Sequence, residues 1–285
     1  AVFQRAMRGE SMFLTGAPGT GKSWLLSRIT KRLRGCLVTA STGCAAAHIG
    51  GQTVHSALAL GDGQQPLETM VKRMHGMRYA WARIARTNVL VIDEISMCSA
   101  ELLNKIVGLM DAVRRGPWQL LICGDAMQLP PVDSHNGYFF EAEAVTSGRV
   151  TAAMLTQPMR QSDGRFILIL NRMRRGRVLL SDVDYLRRQM AREPEEDAIR
   201  IFAVNRGADE LNAARLADLP GDEITFTATQ TGDERLLKHV LARKTISLRK
   251  GARVMILKND CRGRYFNGST GLVTDLTTTS VHVEL

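Results

Sequence analysis

Residues 16–23 read Gly16-Ala17-Pro18-Gly19-Thr20-Gly21-Lys22-Ser23, a G-x-x-x-x-G-K-[ST] pattern. This segment constrains the fold more than any other. Glycines let backbone amides curl around phosphate oxygens without a Cβ in the way. The amides are useful only if a helix begins at once and points its positive end at the same anion. The flanks meet that condition. Residues 11–15 read as a short strand, and Trp24, Leu25, Leu26, Ile29 and Leu33 recur at helical spacing before Gly35. In such a loop Lys22 supplies a point charge for the β/γ-phosphates, and the Ser23 hydroxyl can ligate Mg²⁺.

The rest of the chain continues the alternation. Residues 36–40, 88–92 and 119–123 read as further strands, the last two nearly free of polar alternation. That pattern suits parallel strands buried on both faces. Between them Leu102, Leu103, Ile106, Leu109, Met110 and Val113 mark an amphipathic helix. Strands alternating with helices imply a doubly wound α/β domain. A second α/β region starts at about 154, with residues 199–204 as its first clear strand. Residues 253–257, 271–276 and 281–285 then suggest the start of a small β module. A length of 285 residues allows about two domains of the usual ~100–200 residues.

Composition narrows the class. Lys plus Arg is 38 against 28 Asp plus Glu, a net charge of +10, which favours a polyanionic partner such as nucleic acid. No apolar run approaches the ~20 residues of a membrane helix, so no membrane partner is expected. AVFQRAMRGE lacks the apolar core of a signal peptide. The five cysteines form no C-x-x-C pair, which fits a reducing, intracellular compartment.

Two further segments carry chemistry. Asp93-Glu94 closes the apolar strand 89–92, and carboxylates at the C-terminal end of a parallel strand lie in the crevice where ligands bind. Asp93 is the natural Mg²⁺-side acid, and Glu94 is placed to orient or deprotonate an attacking water. After the next strand comes Gly124-Asp125-Ala126-Met127-Gln128-Leu129-Pro130-Pro131-Val132. Gln128 can sense a γ-phosphate through its amide, and the prolines stiffen its loop.

Taken in order, FLTGAPGTGKS (13–23), TASTGCAAAHIGGQTVHS (39–56), VLVIDEISM (89–97), QLLICGDAMQLPPV (119–132), LTQPMRQSD (155–163), LRKGARVMILKND (248–260) and NGSTGLV (267–273) resemble the Pif1-like branch of superfamily 1 DNA helicases, which includes RecD-type and Dda-type enzymes. The resemblance implies an ATP-dependent 5′-to-3′ motor on single-stranded DNA that unwinds duplexes at single-strand/duplex junctions. It carries roles in DNA repair, recombination and telomere maintenance. ATP and Mg²⁺ are the implied cofactors. Gly16, Pro18, Gly19, Thr20, Gly21, Lys22 and Ser23 would bind nucleotide, Ser23 and Asp93 the metal (Asp93 through water). Lys22, Asp93, Glu94 and Gln128 take the family's catalytic positions. Arg160 falls where the family places an arginine finger. Read from the residues alone, it is more readily a surface arginine.

DNA contacts are implied for Thr42, Gly43, Thr53, His55, Ser56 and Asn267. His55 is as readily a structural histidine, and Asn267-Gly268 an ordinary hairpin turn. Residues 165–177 hold five arginines and no acid, a helix with a basic face that either is solvated or borders DNA. Aromatic residues are only 5%, so backbone phosphate contacts should dominate over base stacking.

The implied architecture is a pair of RecA-like domains: 1A over 1–56 and 82–153, a 1B wedge over 57–81, 2A over 154–247, and the start of an SH3-like 2B module over 248–285. The family's adenine-reading Gln would fall upstream of Ala1, and its T-x-H-x-x-Q-G segment does not occur after residue 160. A truncated core, incomplete in 2A, is therefore expected, as is a monomer, working in a nucleus or mitochondrion if eukaryotic and in the cytoplasm if bacterial. The competing readings are a DNA-independent P-loop ATPase, such as an AAA+ remodeller, and a non-catalytic nucleic-acid-binding fragment.

Overall fold

The computed structural model of the protein describes residues 1–132, 134–159, 163–193, 198–229, 231, 242–258, 260, 264–265 and 268–285. The chain divides into two units, Ala1–Gln189 and Met190–Leu285.

The first unit is a parallel sheet with helices on both faces. Its strands are β1 (Met12–Gly16), β2 (Cys36–Ala40), β3 (Gln52–Thr53), β4 (Val89–Asp93), β5 (Gln119–Gly124) and β6 (Thr151–Leu155), in the order β3-β2-β4-β5-β1-β6. Every pairing is parallel. The helices are α1 (Val2–Met7), α2 (Lys22–Thr30), α3 (Gly43–His48), α4 (Val54–Ala57), α5 (Leu67–His75), α6 (Arg78–Ala85), α7 (Ala100–Arg114), α8 (Glu143–Thr146), α9 (Gly164–Arg174) and α10 (Leu180–Met190).

The two-residue period of a strand explains the layers. Leu90, Ile92, Leu120 and Ile122 face one core with α5, α6 and α7, whereas Val89, Val91, Leu121 and Cys123 face another with α1 and α2. Both faces of β4 and β5 are thus covered, which is why these strands need no polar alternation. Residues 57–85 belong to the first core: Leu58, Leu60, Met70, Met74 and Ile84 are fully buried against it. Each such side chain stabilises the fold by roughly 1.5–3 kcal/mol. The helix α7 begins where the Ser99 side chain accepts the Leu102 N–H at 3.2 Å, and it ends at Arg115 in the left-handed region.

The second unit holds α11 (Asn205–Ala217), an antiparallel pair of β7 (Ile224–Thr227) and β8 (Thr245–Leu248), and a sheet of β9 (Arg253–Met255), β10 (Thr270–Leu276) and β11 (Val281–Glu284). The small β elements expected near the C-terminus therefore form. The strand expected over 199–204 does not. These residues are exposed and irregular up to the start of α11 at Asn205. An apolar β-prone run becomes a strand only where a partner satisfies its backbone, and among the described residues none pairs with it.

Candidate functional site

Strand β1 ends at Gly16, where a Cβ would stand 2.3 Å from the Leu155 carbonyl oxygen and 2.9 Å from Thr20 Oγ1; only glycine fits. Gly21 caps α2 in the left-handed region (φ +83°), so the turn also needs a glycine there. Thr20 is buried, and its hydroxyl donates to the Ala17 carbonyl at 2.8 Å. Pro18 and Gly19 form the outer bend. The Gly19 carbonyl accepts the Met159 N–H at 2.7 Å, so the segment after β6 runs across the loop. The Lys22 ammonium is buried and donates to the carbonyls of Gly16 (2.9 Å) and Ala17 (3.2 Å). Its charge is thereby held inside the loop that would surround a phosphate.

Beside the loop stand the acids from β4. Asp93 is buried, accepts the Ser23 hydroxyl at 3.1 Å on Oδ2, and accepts the Glu94 N–H at 2.9 Å on Oδ1. Glu94 is a non-glycine residue in the left-handed region (φ +52°, ψ +46°), a costly backbone state that turns it out of the strand. Burial, together with the neighbouring charges of Asp93 and Asp125, holds its carboxyl above the usual glutamate range, and Lys22 only partly offsets this. Such a shift suits a proton acceptor working near neutral pH.

A cavity of about 820 Å³ has Ser23, Asp93, Glu94 and Gln128 on its wall, with Thr42, Cys44 and His48 beside them. Of the expected nucleotide-side residues these four share the cavity wall, whereas residues 16–22 form the loop leading into Ser23 and do not line it. Gln128 sits on a loop anchored by Asp125, whose carbonyl accepts the Gln128 N–H at 3.0 Å.

Candidate DNA-side residues other than Thr42, which shares the cavity wall, are placed differently. Thr42 caps α3 by accepting the Ala45 N–H, and Thr53 caps α4 by accepting the Ser56 N–H, each at 3.3 Å. Gly43 opens α3, and Ser56 lies within α4. Burial lowers the His55 pKa, with Asp62 pulling the other way, so the ring is poised toward its neutral form. Thr53, His55 and Ser56 do not line the cavity. Arg160 and Asn267 lie outside the described residues.

Sequence reasoning missed two features. His48 and Cys44 reach the cavity wall, a consequence of α3 packing beside β2 and β3 that no local pattern signals. The arginines of α9 are also partly committed inward: Arg172 pairs with buried Asp182 at 2.9 Å, and Arg174 with fully buried Asp125. Arg165 lies over the Tyr185 ring at 4.9 Å.

The PIF1-like helicase family model matches residues 1–182. ATP-dependent DNA helicase PIF1 of Rattus norvegicus is 38% identical over 293 residues, covering 96% of this chain and 45% of that protein. The Emericella nidulans protein of the same name is 36% identical, covering 93% of this chain and 39% of its own. The chain thus spans less than half the length of these relatives. Among solved structures, Pif1 helicase from Candida albicans superposes with a TM-score of 0.89 at 36% identity, covering 96% of this chain and 67% of that one. Pif1 helicase from Bacteroides, in complex with ADP-AlF3 and ssDNA, gives 0.79 at 26% identity, covering 99% and 71%. With a glycine-bound phosphate loop, a Ser–Asp pair beside it and a model match over more than half its length, the chain belongs to the PIF1-like helicase family.

Proposed function

We propose that this chain is the motor core of an ATP-dependent DNA helicase that moves 5′ to 3′ along single-stranded DNA and opens duplexes at junctions. One observation carries the reading: Ser23, Asp93, the strained Glu94 and Gln128 line one cavity, and the glycine loop that leads into Ser23 holds the buried Lys22 ammonium. The Pif1 structures bound to ssDNA and at forked dsDNA support DNA as the partner. The +10 charge supports a phosphate-dominated contact. Among the described residues, no helix is long and apolar enough to cross a membrane.

The proposed mechanism gives each of these residues a role. Backbone amides at the start of α2, with the Lys22 charge, bind the β- and γ-phosphates of ATP. Glu94 accepts the proton of the attacking water, and Gln128 faces the γ-phosphate from its loop. Arg160 supplies the finger that stabilises charge on the transferring phosphoryl group. Ser23 and Asp93 are hard oxygen donors 3.1 Å apart, a set that fits Mg²⁺. That ion, when bound, neutralises charge on the phosphates. Thr42, Gly43, Thr53, His55, Ser56 and Asn267 form the DNA side. The protein works as a monomer inside the cell.

The deciding experiment is steady-state ATPase with and without oligo-dT. Hydrolysis stimulated by the oligonucleotide and abolished by Lys22→Ala is expected. Hydrolysis indifferent to DNA would instead mark a DNA-independent P-loop ATPase. DNA binding unaffected by ATP or by Lys22→Ala would mark a non-catalytic binding fragment.

A further inference from the structure

Asp125 is the first residue after β5 and is fully buried. A carboxylate stays ionised in such a place only if partners replace its water. Here they do so completely. Oδ1 accepts Arg174 Nη2 at 2.5 Å and the Met127 N–H at 3.1 Å, while Oδ2 accepts Arg174 Nε at 3.0 Å. The Asp125 carbonyl accepts the Gln128 N–H at 3.0 Å. One residue therefore fixes the turn that carries Gln128 and also receives a two-pronged guanidinium from α9.

Arg174 is the last residue of α9, a helix in which only Ile169 is buried. With so little apolar anchorage, the position of this helix end against the sheet depends on its polar contacts. A planar guanidinium held at two nitrogens fixes direction as well as distance, which a lysine cannot do. Any displacement of the α9 end must therefore move Asp125, and with it the turn bearing Gln128.

We propose that Arg174 is a positioning residue for ATP hydrolysis, clamping Asp125 so that the 125–128 turn presents Gln128 to the cavity and linking that turn mechanically to α9. The proposal rests on the ATPase reading above and adds to it a residue that touches neither nucleotide nor metal. It also gives one basic side chain of α9 a role other than facing DNA.

The test is ATPase kinetics of the protein with saturating oligo-dT. Arg174→Ala alone leaves a lone buried carboxylate and can fail to fold, so the informative variant is Arg174→Gln combined with Asp125→Asn. This neutral pair fills similar space and strands no charge. Its kcat should fall on the order of tenfold to a hundredfold, as expected for a misplaced site, with KM for ATP within about twofold and the circular dichroism spectrum unchanged. Arg174→Lys, which keeps the charge but not the fork, should recover only part of the rate. A folded double variant with wild-type kcat overturns the proposal, and so does a loss confined to KM. A wild type that hydrolyses no ATP overturns the functional reading and this proposal together. A wild type that hydrolyses ATP beside a double variant of equal kcat overturns this proposal alone.

Discussion

Residues 1–189 and residues 190–285 both form helices and strands but bury them very differently. In the first unit every residue of β4 and β5 is buried, with a core packed on each face. In the second, β10 buries only Val273, α11 buries nothing, and the cluster beneath them centres on Leu248, Ala252 and Val273. The contrast explains where the site lies. Strands clamped from both sides end in a rim stiff enough to hold a strained glutamate, a buried aspartate and a glycine loop in register. A thinly buried sheet offers no such support.

The largest expected effect tests this contrast directly. Leu90→Ala in β4 should cost about 2–5 kcal/mol, because a fully buried site on a doubly covered strand cannot collapse around the cavity. Val273→Ala in β10 should cost less, roughly 2 kcal/mol, since it removes fewer carbons from a smaller cluster. Denaturant unfolding with hydrogen exchange resolved by strand measures both. An equal or larger loss at Val273 would break the comparison.

The rim itself holds two carboxylates with opposite electrostatics. Burial alone would push the Asp125 carboxyl up, but the Arg174 fork, the Met127 N–H and the charges of Arg174 and Lys22 outweigh it and hold it below the usual range. A depressed folded pKa contributes stability that is present above the unfolded value of about 3.9 and is lost as pH falls through the folded one. Asp125→Asn should therefore be destabilised relative to wild type at neutral pH, with the gap closing on the acid side of pH 4. Thermal melts across pH 2–7 follow this, and a gap independent of pH would sink the idea.

Glu94 should behave the other way. Its raised folded pKa favours the neutral form, so the stability it contributes is present below about pH 4.3 and is lost as pH rises through the folded value. Glu94→Gln stays neutral throughout. It should melt above wild type at pH 7, lose that advantage in acid and lose ATP hydrolysis, as expected where function is carried by a strained, desolvated group. A variant that melts below wild type at pH 7 would contradict this account. The effect should be smaller than that at Asp125, because Glu94 is only half-buried.

How much of this was legible beforehand depended on whether the cause was local. The glycine loop, the uninterrupted β4 and β5 runs and the acids at the end of β4 are written in adjacent residues, so they could be read directly. The Asp125–Arg174 fork joins residues 49 positions apart, and nothing in the arginine-rich run 165–177 says which of its members turns inward. Residues 199–204 mislead for the same reason: their β-prone apolar character is local, but strand formation is decided by a partner elsewhere. Met70 and Met74 likewise show an apolar face four residues apart, without saying that the covering partner is the helix before β5.

The smallest expected effect sharpens the comparison at the helix ends. The first unit's α7 starts on Ser99, whose hydroxyl satisfies an otherwise orphaned N–H, and it buries a full stripe from Leu103 to Val113. The second unit's α11 starts on Val204, which offers no side-chain cap, and it buries none of its residues. Ser99→Ala should cost about 1 kcal/mol. Val204→Asp should gain about as much, since residue 204 is 65% exposed, already extended, and would meet the positive end of the helix. Packing resists fraying in α7 but not in α11. Amide exchange should therefore change over the first turn alone in α7 and over the whole of α11. If Val204→Asp protects only the first turn of α11, that helix is held by contacts beyond its own sequence, and the contrast between the two units is weaker than their buried residues suggest.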